Sequence, residues 1–309
     1  MPYVAADWPS REALLESAET RADAVLAHRP DLGPAIELQR RLLAIVVDLA
    51  HTIERGRPPR LSLPPKYLAA KLARGVPALA GEPIPLPVAA LQASLLRVCD
   101  ELAAGGAGEA AAHIKAAIAD GSMDAGSLLT ASLARNQHAI REGAVHRGLA
   151  PDLLWLVGEL AVGPVAHALQ KALFTGAPAG PLADALQAWP HGYCPACGSW
   201  PALAEVVASH RILRCSFCAA GWELLTYACV YCGTSGEPFV TAAPDQERKD
   251  RRLELCASCG AYLKTVDVAA LSPFPLLTIA DLDTMDLDVA AIEHHYARPP
   301  MKEFARRTS

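Results

Sequence analysis

Eight of the nine cysteines fall in four Cys-x-x-Cys pairs: Cys194/Cys197, Cys215/Cys218, Cys229/Cys232 and Cys256/Cys259. Two thiolates two residues apart can grip one ion in a tight turn. Two such turns complete a tetrahedral tetrathiolate site of the kind zinc and iron prefer. Gly198 and Gly233 follow the second sulfur of their pairs, where the backbone turns sharply and a residue without Cβ fits. The gaps between the first and second pairs, and between the third and fourth, each fit one hairpin. The expected sites are therefore 194/197/215/218 and 229/232/256/259. Sequential pairing closes short loops and costs little entropy; a cross-braced arrangement of the same pairs stays open. Four protein ligands leave no open position for a bound water, which disfavours hydrolysis. A folding staple and a redox or binding role both remain compatible with these residues.

The elements around them divide near residue 190. Residues 1–188 carry apolar stripes at helical spacing: Leu14, Ala18, Ala22 and Val25; Leu38, Leu42, Ile45, Leu49 and Ile53; Leu91, Leu95, Cys99 and Leu102. Pro151-Asp152 begins a further helix, which Pro164 is expected to kink or divide. Breaks fall at Pro58-Pro59, Gly81–Pro87, Gly105–Gly108 and Gly176–Pro181. The expected architecture is multi-domain, α plus small β. An α-helical bundle of about seven or eight helices (1–188) precedes two tandem ribbon-like metal modules (189–226 and 227–309), the second ending in a C-terminal helix.

Composition excludes several classes. With 309 residues, 52% hydrophobic and 20% charged, the chain is no disordered tail. A formal charge of −5 argues against a non-specific nucleic-acid binder. A dication held by four thiolates keeps a net negative charge and adds to that bias. The run Arg248-Lys249-Asp250-Arg251-Arg252, flanked by Asp245, Glu247 and Glu254, reads as a solvated hairpin. Met1–Trp8 has no secretory pattern, and the most apolar window, Leu153–Leu173, is broken by Glu159, Pro164, His167 and Lys171. A cytosolic protein is expected, where close cysteine pairs mean metal or redox chemistry rather than disulfides. No phosphate loop, dinucleotide fingerprint or nucleophile elbow occurs.

The contexts of the pairs carry a resemblance. They read Tyr193-Cys194-Pro195-Ala196-Cys197-Gly198-Ser199-Trp200-Pro201, Arg214-Cys215-Ser216-Phe217-Cys218 with Trp222 beyond, Cys229-Val230-Tyr231-Cys232-Gly233, and Cys256-Ala257-Ser258-Cys259-Gly260-Ala261-Tyr262-Leu263-Lys264. With the tail Asp281-Leu282-Asp283-Thr284 and Tyr296-Ala297-Arg298, they resemble the formate dehydrogenase accessory proteins of the FdhE type over about 190–300. The resemblance implies a cytoplasmic, non-enzymatic, chaperone-like assembly factor that binds the molybdenum-containing catalytic subunit of respiratory formate dehydrogenase. It implies rubredoxin-like modules with two iron ions, one on Cys194, Cys197, Cys215 and Cys218, the other on Cys229, Cys232, Cys256 and Cys259, with zinc as the alternative metal. Ala219, after Cys218, departs from the glycine that rubredoxin has there. The alternative function is a zinc-ribbon binding protein for nucleic acid or a transcription complex, with structural zinc. A third, an electron carrier in its own right, has no cofactor motif behind it. Apolar surface on the helical half could serve a homo-oligomer or a client, and the broken apolar window predicts no membrane insertion.

Other residues carry less. Trp200, Trp222, Tyr262 and Lys264 are expected to cover the metal sites, with client binding as the minority role of Trp200 and Tyr262. Asp281, Asp283, Asp286 and Asp288 lack the glycine and distal glutamate of a calcium loop. His191 and His210 are not expected as ligands, His294-His295 is expected to be a partly exposed pair, and Cys99 reads as a small buried thiol.

Overall fold

The computed structural model describes residues 3–302 except 5, 7, 57–60, 62, 176–179 and 245–247. The Pro58-Pro59 break, part of the 176–181 break, and Asp245 and Glu247 lie outside the described residues. The chain forms two compact units. Among the described residues, one comprises those of 3–8, 63–80 and 173–302, and the other those of 9–61 and 81–172.

The second unit is helical. Its helices are Arg11–His28, Gly33–Arg55, Val88–Leu102, Gly108–Ala119, Ala125–Leu133, Gln137–His146 and most of Pro151–Phe174. The predicted stripes form its core. Leu14, Ala18, Ala22 and Val25 are buried, as are Leu42, Ile45, Leu49, Ile53, Leu91, Leu95, Cys99 and Leu102; Leu38 is half-buried. Each fully buried leucine contributes roughly 1.5–3 kcal/mol. Side-chain oxygens start three of these helices. Ser10 accepts from Ala13 N at 3.2 Å, Asp124 from Ser127 N at 2.7 Å and Asn136 from Ala139 N at 3.1 Å. Pro164 does not divide its helix, which runs unbroken from 151 to 174. The hydrogen bond that proline removes is outweighed by the complete burial of Ala161, Val162, Val165 and Ala166 around it. This helix is long and apolar enough to cross a membrane, yet 67% of its most apolar window is buried, as in a core helix.

The first unit holds a seven-stranded sheet. Its strands are β1 (Tyr3–Val4), β2 (Pro201–Val207), β3 (His210–Cys215), β4 (Gly221–Trp222), β5 (Phe239–Ala242), β6 (Arg251–Cys256) and β7 (Ala261–Asp267). The spatial order is β1-β4-β3-β2-β7-β6-β5. β2-β3-β4 and β5-β6-β7 are antiparallel ribbons of the same topology. They join edge to edge, because β2 pairs with β7 in parallel through Ala204/Thr265, Glu205/Val266 and Val206/Asp267. The two expected modules are thus halves of one sheet. Where the second ribbon meets the approach to the first, Gly192 leaves no room for a side chain. A Cβ there would lie 1.9 Å from the Val230 carbonyl oxygen.

Residues 62–80 pack with this unit. The helix Pro65–Leu72 lies against Pro181–Gln187. Ala78 N and Leu79 N donate to the Pro195 and Ala196 carbonyls at 2.8 and 2.9 Å, and Tyr193 Oη donates to Gly75 O at 2.8 Å. Both short helices start at proline, beside breaks that the sequence marks as linkers.

Buried charge ties the strands to the C-terminal helices Leu277–Asp283 and Met285–Glu293. Glu205 and Arg214, both 0% exposed, pair across β2 and β3. Ser272 N donates to both Glu205 oxygens at 3.1 Å, and Arg214 donates to Ser272 O at 2.7 Å. Arg211 forms a two-pronged pair with buried Glu254, which also accepts from Thr265 Oγ1 at 3.0 Å. Arg251 is buried, contrary to the expected solvated hairpin. It donates to Asp283 Oδ2 at 2.7 Å and to Asp286 Oδ1 at 3.1 Å. Lys264 is fully buried between Asp281, at 2.6 Å, and Asp288, at 2.7 Å. The acidic run is therefore the counter-charge of β6 and β7. Burial pushes the Asp281 carboxyl up, but Lys264 and Arg298 outweigh it and hold the group below the usual range.

Two substitutions test this packing. Gly192→Ala is expected to cost about 1–3 kcal/mol in denaturant unfolding, whereas Gly33→Ala, with open space around its Cβ position, stays near neutral. Equal effects would show that the Gly192 contact is unimportant. Glu205→Gln leaves Arg214 buried without its partner charge and is expected to cost about 3–5 kcal/mol; a loss under about 1 kcal/mol would contradict that role.

Candidate metal centres

Each cysteine pair sits in the same backbone turn. The residue after the second cysteine donates its N–H to the carbonyl of the first: Gly198 to Cys194 at 2.9 Å, Ala219 to Cys215 at 3.2 Å, Gly233 to Cys229 at 2.9 Å and Gly260 to Cys256 at 2.9 Å. All four take positive φ, at 84°, 54°, 77° and 66°. Glycine adopts this conformation freely, whereas a Cβ makes it costly. Ala219 accepts that strain, so its departure from glycine leaves the turn intact. In the first three turns the first cysteine also donates back, and in the fourth Cys256 pairs with Ala261 at the end of β6 and β7. Cys194 N, Cys215 N and Cys229 N reach Ser199, Ala220 and Thr234 carbonyls at 2.9 Å.

The ribbons bring the turns together in sequential pairs. The sulfurs of Cys194, Cys197, Cys215 and Cys218 converge in one group, those of Cys229, Cys232, Cys256 and Cys259 in another, and each group could hold a metal ion. In the first, Cys194–Cys218 is 3.7 Å, Cys197–Cys215 3.4 Å and Cys197–Cys218 3.7 Å. In the second, Cys229–Cys259 is 3.7 Å and Cys232–Cys256 3.6 Å. A disulfide would need about 2.05 Å. A tetrahedron with metal–sulfur bonds of about 2.3 Å has edges of about 3.8 Å. The donor set and its spacing therefore fit a four-coordinate thiophilic ion.

Burial makes such an ion more than a convenience. All four sulfurs of the first group are buried, while Cys232 and Cys259 of the second are exposed. Desolvation pushes the Cys194 and Cys218 thiols well above their ordinary range, and the neighbouring thiols add to it. Desolvation likewise lifts Cys229, and it takes Cys259 to about 11. At Cys232 burial opposes ionisation, but Thr234 and the neighbouring thiols outweigh it and bring the group down to about 6. A bound cation is what would let the buried thiols ionise together.

Polar neighbours repeat as well. The Cys197 sulfur lies 3.4 Å from Ser199 Oγ, and the Cys232 sulfur 3.3 Å from Thr234 Oγ1. Phe217 N and Cys218 N point at Cys215 Sγ at 3.4 and 3.5 Å. Contacts of this kind tune a metal's affinity and potential. Sequence reasoning passed over the two hydroxyls; their signal is the shared order Cys-Gly-Ser/Thr at 197–199 and 232–234.

Of the four side chains expected to cover the sites, each has its own place. Trp222 is buried and donates to His191 O at 3.3 Å. Tyr262 is buried and donates to Asp288 at 2.7 Å, which removes it as a docking residue. Lys264 belongs to the carboxylate cluster. Trp200 is half-buried, with Tyr231 and Tyr193 at ring distances of 5.1 and 5.9 Å. His191 stacks on Tyr193, exposed His210 meets Glu223 at 3.2 Å, and His294 and His295 are exposed. None of these histidines joins a sulfur group. Cys99 is buried in the helical unit, where desolvation pushes it to about 11.

No family model matches the chain. It is similar to three curated proteins, each called a protein FdhE homolog. That of Pseudomonas putida is 38% identical over 97 residues, 28% of this chain and 27% of the relative. That of Rhizobium meliloti is 28% identical over 170 residues, 49% and 55%. That of Aquifex aeolicus is 26% identical over 115 residues, 36% and 40%. The chain thus spans from about a quarter to just over half of the length of these relatives. It shares its fold with the crystal structure of the FdhE protein from Pseudomonas aeruginosa, with a TM-score of 0.58 and 22% identity over 99% of both chains. The resemblance to FdhE-type proteins read from the cysteine contexts is therefore carried by sequence relatives and by the fold.

The strained turn gives a direct test. Ala219→Gly should stabilise the metal-loaded chain by about 1 kcal/mol in denaturant unfolding, since the cost of a Cβ at positive φ is of that order, with the metal content per chain unchanged. No gain, or a loss of metal, would show that Ala219 serves something other than the turn.

Proposed function

We propose that this FdhE-type chain is a non-enzymatic, cytoplasmic accessory protein for respiratory formate dehydrogenase, a chaperone-like factor that binds its molybdenum-containing catalytic subunit during maturation. The observation that carries the proposal is the convergence of all eight paired cysteines into two sulfur groups on a fold shared with an FdhE protein. In this reading Cys194, Cys197, Cys215 and Cys218 ligate one iron, and Cys229, Cys232, Cys256 and Cys259 a second; zinc is the competing metal. When bound, a tetrathiolate iron supplies a one-electron couple with little rearrangement. The chain's own residues do the rest. The turns fix the sulfurs, Ser199 and Thr234 offer hydroxyls beside them, and the buried Glu205–Arg214 pair locks the strands that carry the first group.

The nucleic-acid alternative loses its footing in the same residues. Two basic side chains of the 248–252 run are engaged by carboxylates: Arg251 by Asp283 and Asp286, Arg252 by Asp267. Two thiolate centres add further negative charge nearby, against what phosphate binding needs.

The test is complementation. A bacterium with respiratory formate dehydrogenase and without its own accessory protein should regain the enzyme's activity when given this chain, and the catalytic subunit should co-purify with it. Cys194→Ser and Cys256→Ser should each lower metal content by about one ion per chain. If activity returns with both variants, the metal centres are scaffolds. If neither activity nor co-purification appears with the unaltered chain, the accessory role is wrong.

A further inference from the structure

A strip of aromatic rings is built from residues close in sequence to cysteines of both sulfur groups: Tyr193 before Cys194, Trp200 three residues after Cys197, and Tyr231 inside the third turn. Trp200 meets Tyr193 and Tyr231 edge-on at 5.9 and 5.1 Å. The strip carries a passenger, the chain's own tail. After the terminal helix, Ala297 N donates to Gly260 O at 2.9 Å and Ala297 bridges to Ala261. Arg298 anchors on Asp281 and Asp288 at 3.1 and 2.8 Å. The tail then runs Pro299-Pro300-Met301-Lys302 without regular structure. Trp200 Nε1 donates to the Pro300 carbonyl at 2.9 Å, and the Lys302 ammonium sits 4.5 Å from the Tyr193 ring centre.

Sequence dictates the tail's shape. Each proline fixes its own φ, and the residue before a proline is pushed out of the helical region. Two prolines in a row therefore hold an extended, polyproline-like segment that loses little entropy on docking. An indole N–H given to a proline carbonyl on an aromatic shelf, with a cation over a neighbouring ring, is a recurring way to read such segments. The two tyrosine hydroxyls of the shelf are held within the chain, Tyr193 Oη by Gly75 O at 2.8 Å and Tyr231 Oη by Tyr262 O at 3.1 Å. Trp200 is half-buried, and its one ring nitrogen is directed at the tail rather than at the sheet.

We infer that the Tyr193–Trp200–Tyr231 strip is a docking site for a proline-bearing, lysine-containing extended segment of a protein partner, and that residues 299–302 of this chain occupy it at rest. The inference rests on no assignment of the metal and does not depend on formate dehydrogenase being the client. A tethered tail competes at an effective concentration on the order of millimolar. A partner segment must therefore out-compete the tail, or arrive when the tail is drawn away.

The probe is a labelled peptide copying residues 297–305, added to the full-length chain and followed by fluorescence anisotropy. Pro299→Gly with Pro300→Gly loosens the tethered tail without touching the shelf. The peptide is expected to bind this variant at least about tenfold more tightly than it binds the unaltered chain. Adding Trp200→Phe, which keeps a ring and removes the donor, should weaken that binding about tenfold, and so should a peptide with both prolines replaced by glycine. Unchanged metal content and circular dichroism show that the variants fold. Should Trp200→Phe unfold the chain, the prolineless peptide carries the same test. Equal binding to the loosened and unaltered chains, binding to neither, or indifference to the prolines would overturn the inference.

Discussion

Four sulfurs all within 4.8 Å of one another, three of their pairs at 3.4–3.7 Å, in surroundings that resist a thiolate, are the constraint on which the cysteine-rich unit depends. Without a cation, such a cluster is crowded, poorly hydrated and hard to ionise. With one, each ribbon gains a crosslink between two turns that are 18 residues or more apart in sequence. Metal affinity there is folding free energy, because the unfolded chain has no preformed site. The four turns share one hydrogen-bond pattern and one positive φ, since each must present its two sulfurs to the same point. The sheet follows from the turns. Each ribbon hangs on its pair of turns, and the two ribbons meet through a parallel pairing that buries Glu205 and Arg214.

Charge does the work that a small ribbon core cannot. Arg214, Lys264 and Arg251 are buried, and each is met by carboxylates or carbonyls from a segment that comes later in the chain. Such pairs contribute little net stability over apolar packing, but removing one partner is costly. Their effect is to fix which segment lies on which strand. This also explains how Arg251 of a basic run comes to be buried against carboxylates in an acidic chain. The two sulfur groups stand apart in exposure: the first is enclosed, and the second presents Cys232 and Cys259 to solvent.

Much of this was legible in the residues. The helical stripes through Leu14, Leu42 and Leu91 are core because period and apolarity agreed there. The sequential grouping of the cysteine pairs followed from loop length. Other features depended on tertiary partners that local patterns do not show. Arg251 sits in a run that looks solvated, and only the helices at 277–293 turn it inward. Pro164 was expected to kink or divide its helix, but the helix continues through it among completely buried neighbours. The segment 62–80 carries no cysteine, yet its backbone caps the first turn through Ala78 and Leu79. Trp200 and Tyr262 looked alike beside their cysteines; contact with Asp288 withdrew one and left the other on a shelf.

The proposed role of the metal centres requires each sulfur group to be a closed four-thiolate site for one ion. The most direct measurement is thiol accounting on anaerobically purified full-length chain, before and after chelation, with metal counted in parallel. Two ions per chain are expected, with the eight paired cysteines protected from alkylation in the loaded state and their reactivity appearing as metal leaves. Eight freely reactive thiols in a folded chain that carries no metal would contradict it.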